Sequence, residues 1–302
     1  MENNLPFFSI IIPTYNRAHT IRRPIESILA QTFKDWELII VDDGSTDGTK
    51  EIVDGYNDLR IRYVWQENQE RSAARNHGIL LAKGEWICFQ DSDDEYLHRH
   101  LQVLYEAILQ NQYYKVIRTA LLINHNRKII SKKTGNQSIY DPYPFESLQC
   151  FTFHNSVIKQ NYRFEQRFNT IEDFEFLLQV GRQYQFLKIS DWTVVYSYNP
   201  KSSGGVGPNY EKHLIHQINC LDSILNWNDS MILPYIIRKR CFKEMLMLFG
   251  HMKYKRSLIL KAILDNMLVF YRFPTEYAKL SLRIFLVKTG ELFGNTYQNY
   301  RF

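Results

Sequence analysis

Apolar and polar positions alternate between two periods over the first 100 residues, and the switches mark elements. "FFSIIIPTY" is a continuous β-branched run bounded by Pro13, which predicts a buried strand. "TIRRPIESILAQ" places Ile21, Ile25, Ile28 and Leu29 at helical spacing. "WELIIVDDGSTDG" predicts a second buried strand that stops at acids and a glycine turn. "GTKEIVDGYN" reads as a helix, "IRYVWQ" as a third strand, and "ERSAARNHGILLAKG" as a helix closed by Gly84. "EWICFQD" is a fourth strand. Uninterrupted apolar strands alternating with helices predict an α/β fold, Rossmann-like, with a mostly parallel sheet flanked by helices. In such sheets ligands bind beyond the carboxyl ends of the strands.

The middle of the chain is less regular. "VIRTALLINHNRKIIS" predicts a hairpin, "GNQSIYDPYPFESL" a loop and "FTFHNSVIKQ" a strand. "IEDFEFLLQVGRQY" sets Ile171, Phe174, Leu177 and Leu178 on one helical face, and "FLKISDWTVVYSYNP" is strand-rich. "KSSGGVGPN" predicts a flexible loop, and from Tyr210 onward the pattern is helical, interrupted at Pro234 and Pro274. The expected division is an α/β domain over 1–209, regularly alternating in 1–97 and less regular in 98–209, followed by a helical region over 210–302.

Charge sharpens that division. The net charge of the 302 residues is +5, yet residues 233–302 hold 13 Lys/Arg against 4 Asp/Glu, so an acidic body carries a basic tail. No apolar stretch reaches the roughly 18 residues of a membrane span. "SLILKAILDNMLVFY" is broken by Lys261 and Asp265. "LPFFSIIIP" lacks the basic and small-residue flanks of a secretory signal, so a cytoplasmic location is expected. The four cysteines form no C-x-x-C pair, which argues against zinc and against a disulfide framework.

The candidate chemistry lies where strands end. "PTYNR" follows the first strand and by itself is an ordinary turn. Asp42 and Asp43 end the second, where Ser45, Thr46 or Asp47 can cap the next helix. Capping does not account for two adjacent carboxylates, of which one could accept from a nucleoside. The fourth strand ends in "DSDD". Two carboxylates in Asp-x-Asp suit a hard divalent cation, Mg²⁺ or Mn²⁺, that shares phosphate oxygens with a nucleotide. The bland reading is an acidic turn capping "YLHRHLQVLYEAI". Arg71 and Arg75 share a helix face and could reach a diphosphate. Glu172 and Asp173 open a helix, where the dipole alone favours acids. The functional alternative is a general base whose neighbour raises its proton affinity. His154 in "FTFHNS" is a rim or core histidine by default.

Order and spacing carry more than any single cluster. Residues 7–97 run from "SIIIPTYNRAHTIRRPIESILAQTFKDWELIIVDDGSTDGT" to "QENQERSAARNHGILLAKGEWICFQDSDDEY". Together with "IEDFEFLLQV" they strongly resemble family 2 glycosyltransferases of the GT-A fold. The resemblance implies metal-dependent, inverting transfer of a sugar from a nucleotide-diphosphate donor, UDP-linked by family precedent, to a glycan or lipid-linked glycan hydroxyl. It implies nucleotide contacts from Pro13, Thr14, Tyr15, Asn16 and Arg17, and from Asp43, Arg75, Asp91 and Ser92. Asp93 and Asp91 would bind the cation. Asp173 would be the base, with Asp94, Glu172 and His154 on the acceptor side.

Two stretches depart from the family. "YNPKSSGGVG" stands where relatives carry a loop histidine, which leaves the diphosphate contact to Lys201 or Ser202. "NYRFEQRF" replaces the usual Gly-Gly-Phe-Asp turn, and the Gln-x-x-Arg-Trp signature of processive synthases is missing. The basic tail lies outside the resemblance. It reads either as an amphipathic surface for anionic membrane or as packing on the core or on a second subunit in a homodimer. A nucleotidyltransferase would show a glycine-rich, basic phosphate loop after the first strand, and a phosphatase of the Asp-x-Asp type would continue into Thr or Val. A non-catalytic membrane- or nucleic-acid-binding protein leaves the acids unexplained, so nucleic acid is not an expected partner.

Overall fold

The structure, a computed structural model, describes residues 5–125, 128–133, 147–167, 172–181 and 183–197. All lie in the first of two compact units of the chain, Met1–Gly207. Lys201, Ser202 and the basic helical region expected over 210–302 fall outside the described residues.

Four neighbouring strands are parallel: β3 (Ile61–Trp65), β2 (Trp36–Asp42), β1 (Phe8–Thr14) and β4 (Trp86–Phe89), in that order. Ile10, Ile11, Ile12, Leu38, Ile39 and Ile40 are fully buried. Burial on both faces is why these strands read as unbroken apolar runs. Register aligns Thr14 with Asp42 and Ile11 with Phe89, so β1, β2 and β4 deliver their carboxyl ends to one edge.

Beyond β4 the sheet becomes mixed. β8 (Phe151–His154) pairs antiparallel with β4 and with β6 (Val116–His125). β9 (Phe186–Ser197) runs parallel to β6, and a two-residue β5 (Glu95–Tyr96) pairs antiparallel with β9. The expected hairpin is β6 with β7 (Lys128–Lys133). The parallel character expected from the sequence thus holds for the N-terminal four strands and for the β6–β9 pair, while β5, β7 and β8 join antiparallel.

Among the described residues the helices are α1 (Arg22–Leu29), α2 (Thr49–Asp54), α3 (Glu70–Leu81), α4 (His100–Gln110), α5 (Asn155–Asn161) and α6 (Glu172–Gly181). Ile21, Ile25 and Ile28 are buried as their spacing predicts. Two expectations are corrected. Only "FTFH" of the predicted strand is extended, because the His154 ring accepts from the Ser156 amide and opens α5. Gly84 does not close α3, which ends at Leu81 with Ala82 extended. A Cβ at Gly84 would sit 2.5 Å from the Ser9 amide, so the glycine serves a close backbone approach.

Under the β4 end lies an aromatic stack. Phe164 and Phe176 stack at 4.1 Å, and Phe89 meets Phe164 edge-on at 5.3 Å. Phe176 is a fully buried residue of α6, so this packing fixes the start of α6 beside the end of β4.

Candidate active site

The loops after β1 and β2 are clipped together. Asn16, at φ 53°, donates its amide to Ser45 Oγ (2.8 Å) and accepts from the Thr46 amide (2.8 Å). The Arg17 amide reaches Thr49 Oγ1 at 2.9 Å. Gly44 takes φ +84°, and a Cβ there would meet the Asn68 amide at 3.0 Å. Tyr15 stays exposed beside this clip.

The two acids ending β2 divide their work. Asp42 is fully buried and accepts from the Ser45 amide (2.7 Å) and the Tyr63 hydroxyl (2.6 Å), so it holds the turn. Burial and then Asp42 push the Tyr63 hydroxyl well up, which keeps it a donor. Asp43 Oδ1 accepts from Gln66 Nε2 (2.7 Å) and from the Gln69 amide (3.0 Å).

The acidic turn after β4 is stitched on several sides. Arg17 Nε donates to Ser92 Oγ at 3.2 Å. Arg23 donates to the Asp93 carbonyl (3.2 Å) and to Ser197 Oγ (2.8 Å). Asp94 was expected to face an acceptor, but it is buried and turned inward. One oxygen accepts from the Ser197 amide (2.6 Å) and the other from Gln149 Nε2. Burial and then Asp91 push both Asp93 and Asp94 above the ordinary carboxylate value.

Arg75 joins the two ends of the site. Its Nη1 donates to Glu172 Oε1 at 2.7 Å and its Nη2 to Asp91 Oδ1 at 3.1 Å. The guanidinium is buried and lies 5.2 Å from the Phe164 ring centroid. Its partners are protein carboxylates, and one of them, Asp91, belongs to the edge where the resemblance puts the nucleotide. Burial opposes charge on Glu172, but Arg71 and Arg75 outweigh it and hold that carboxyl below its ordinary value. Asp173 behaves oppositely. Loss of hydration, then the neighbouring Glu172 charge, push it up to about 6. Its Oδ1 accepts from the Phe174 amide at 2.8 Å.

His154 is not brought to this edge. β8 is antiparallel to β4, and His154 pairs with Trp86 at the start of β4. The site lies at the far end of that strand, roughly 15 Å away at about 3.3 Å per residue. His154 instead meets Glu85 at 3.7 Å and Ser156 Oγ at 2.7 Å.

Two polar groups on the elements that frame the site carry no motif. Gln149 grips both Asp94 and the Asp91 amide (3.4 Å) from a 3₁₀ turn, Leu148–Cys150. Glu175 lies one turn after Glu172; its Oε1 is held by Gln179, its Oε2 is buried without a partner, and burial raises it to about 7.

The profile described as Glycosyl transferase family 2 matches residues 9–174, more than half of the chain. The chain belongs to glycosyl transferase family 2. It is 30% identical over 191 residues to the glycosyltransferase GlyA of Streptococcus pneumoniae, covering 62% of this chain and 24% of GlyA. It is 37% identical over 132 residues to WfgD of Escherichia coli, a UDP-Glc:alpha-D-GlcNAc-diphosphoundecaprenol beta-1,3-glucosyltransferase, covering 43% of this chain and 52% of WfgD. The chain thus spans a quarter to a half of these relatives. Among solved structures, S. aureus TarS 1-349 in complex with UDP-GlcNAc aligns with TM-score 0.70 at 22% identity, over 87% of this chain and 81% of that one. That likeness supports the fold, which is GT-A.

The family 2 domain has a donor set that suits a shared metal site. Among the described residues no group of three or more His, Cys, Asp or Glu side chains forms a cage. Asp91 and Asp93 instead offer two carboxylates, one of whose oxygens is taken by Arg75, and their charges repel. Two hard oxygen donors in need of positive charge fit Mg²⁺ or Mn²⁺, which commonly take their other ligands from phosphate and water. No helix among the described residues is long and apolar enough to cross a membrane.

Proposed function

We propose that this domain transfers a sugar, with inversion and divalent-metal dependence, from a nucleotide-diphosphate donor to a hydroxyl of a glycan or lipid-linked glycan. The observation that carries the reading is the divergence of two adjacent acids. Glu172 is held ionised by Arg71 and Arg75, while Asp173 has its affinity for a proton raised to about 6. Such a pair separates a structural charge from a group able to accept a proton near neutrality.

In this mechanism Asp173 takes the proton of the acceptor hydroxyl as its oxygen bonds to the anomeric carbon. The bond from that carbon to the diphosphate oxygen breaks on the opposite face, and the electron pair leaves with the nucleoside diphosphate. No covalent intermediate forms, so no further nucleophile is needed. A divalent ion at Asp91 and Asp93 would neutralise charge on the departing diphosphate. Asp43 and the clipped loops bearing Tyr15 and Asn16 would hold the nucleoside.

The UDP-Glc donor and diphosphoundecaprenol-linked acceptor of WfgD support a UDP-sugar and a lipid-linked acceptor in polysaccharide or glycolipid synthesis, and the UDP-GlcNAc bound to TarS supports the same donor class. A cytoplasmic enzyme with peripheral contact through the basic residues of 233–302 would reach a lipid-linked acceptor, and vesicle flotation at low and high salt tests that contact. The central test is a thermal-shift panel of nucleotide sugars with and without Mn²⁺, followed by proton NMR of the product anomer. A ligand that binds only the native state raises apparent stability. Absence of any shift together with absence of transfer overturns the proposal, and a retained anomer overturns the inverting step.

A further inference from the structure

Behind Asp43 stands a chain of side chains that no part of the mechanism has used. Gln66, just past β3, donates Nε2 to Asp43 Oδ1 at 2.7 Å, and His77 Nδ1 on α3 lies 2.8 Å from Gln66 Oε1. Chemistry fixes the polarity of this chain. A carboxylate only accepts, so Gln66 must face Asp43 with its NH₂. Its oxygen must then face His77, and two acceptors cannot share that contact. His77 therefore carries its proton on Nδ1. The Gln69 amide reaches the same Asp43 oxygen at 3.0 Å, so both donors converge on Oδ1 and leave Oδ2 outside the chain.

Each link is anchored. The Gln66 amide is tied to the Asp42 carbonyl at 2.9 Å, and Asn68 Nδ2 to the Asp43 carbonyl at 2.8 Å. The neighbour of His77, Asn76, makes reciprocal bonds with the Phe164 backbone at 2.8 and 2.9 Å. Asp43 itself is 3% exposed, so its free orientation cannot be set by solvent.

We propose that Gln66 and His77 are positioning residues that hold Asp43 as a one-sided acceptor, aimed at a ring N–H of the donor's base, and so set the base preference. Uracil presents N3–H to such an acceptor. Cytosine presents a bare N3, which would face the carboxylate lone pair to lone pair. The inference rests on the donor reading of this edge.

The test uses the full chain, with UDP and CDP as probes in calorimetry and the donor KM and kcat measured in parallel. His77→Phe keeps the ring and removes the donor. It is expected to weaken UDP about three- to tenfold, the cost of one displaced neutral hydrogen bond. CDP should be nearly unaffected, and the loss should fall in KM rather than kcat. His77→Asn, whose amide nitrogen sits near the Nδ1 position, should restore most of the preference. Gln66→Glu should weaken UDP further by setting an acid against Asp43. Nitrogen-15 NMR should show the Nδ1–H tautomer of His77 in the free protein. An Nε2–H tautomer, or an unchanged UDP-to-CDP ratio in His77→Phe, overturns the relay alone. Failure of the wild type to bind either nucleotide overturns the relay together with the donor reading.

Discussion

Replacing Asp173 by Asn should cut transfer by orders of magnitude and stabilise the fold, with both effects tied to the same carboxyl. Asn keeps an oxygen for the 2.8 Å bond from the Phe174 amide, so the helix start is preserved. What it removes is a charge that the folded protein disfavours. The Asp173 carboxyl rises from 3.8 to about 6 on folding, through burial and then the ionised Glu172. At about 1.4 kcal/mol for each tenfold change in proton affinity, that is a ceiling of about 3 kcal/mol. Partial exposure of Asp173 screens the charge, and we expect ~1–2 kcal/mol to be recovered.

The sign follows from proton uptake. A carboxyl that binds its proton more tightly when folded weakens the fold as pH rises between its unfolded and folded values. Below about pH 4 the wild type and Asp173→Asn should therefore be equally stable. Their difference should grow through about pH 4–6 and stay constant above about pH 7. Thermal unfolding across that range reads it as a rise of about 2–4 °C for the variant near pH 8. The transfer assay should fall by about 10²–10⁴ while donor binding persists. A variant less stable than wild type near pH 8, a stability gap independent of pH, or unchanged turnover would each refute the reasoning.

Gly78→Ala should destabilise by about 1–3 kcal/mol despite alanine's better helix propensity, because the new Cβ would lie 2.4 Å from Ile11 Cγ2; the melting midpoint measures it. Chelation should stop transfer, and Mn²⁺ or Mg²⁺ should restore it, since Asp91 and Asp93 supply only part of a coordination shell. Arg75→Met should cost up to about 3–5 kcal/mol by leaving the buried Glu172 carboxylate with only its longer, 3.8 Å contact to Arg71. Arg75→Met with Glu172→Met should regain most of that stability in urea unfolding yet stay inactive, and a double variant no more stable than Arg75→Met would contradict the pairing argument.

The strands and the acids at their ends were legible because each is a local signal. Buried parallel strands write themselves as apolar runs, and Asp43, Asp91 and Asp173 sit within short motifs. What the sequence hid is set by contacts distant along the chain. Arg75 meets Glu172 across 97 positions, and Gln149 meets Asp94 across 55. Nothing in "ERSAARNHG" shows that Arg75 bridges two carboxylates. His154 was misplaced for a different reason. Apolar periodicity reports that β8 is a strand but not that it runs antiparallel to β4, and that direction decides which edge receives the histidine. Asp94 looked like its neighbours in "DSDD", yet its hydrogen bonds come from Gln149 and from the end of β9.

The density of "ERSAARNHG" has a mechanical explanation that no single residue reveals. Four consecutive positions of α3 point in four directions, and each meets a different part of the domain. Arg75 reaches Asp91 and Glu172, Asn76 grips the Phe164 backbone, His77 meets Gln66, and Gly78 lies against Ile11 of β1. Turning the helix by one residue, about 100°, would break all four sets at once. Sliding it along its axis is resisted by Gly78, whose missing Cβ admits Ile11 at one position only. One rigid helix thus fixes the distance between the carboxylates of the proposed chemistry and the carboxylate proposed to hold the nucleoside. A loop carrying the same side chains could make each contact separately, but it would not hold them in a constant relation to one another.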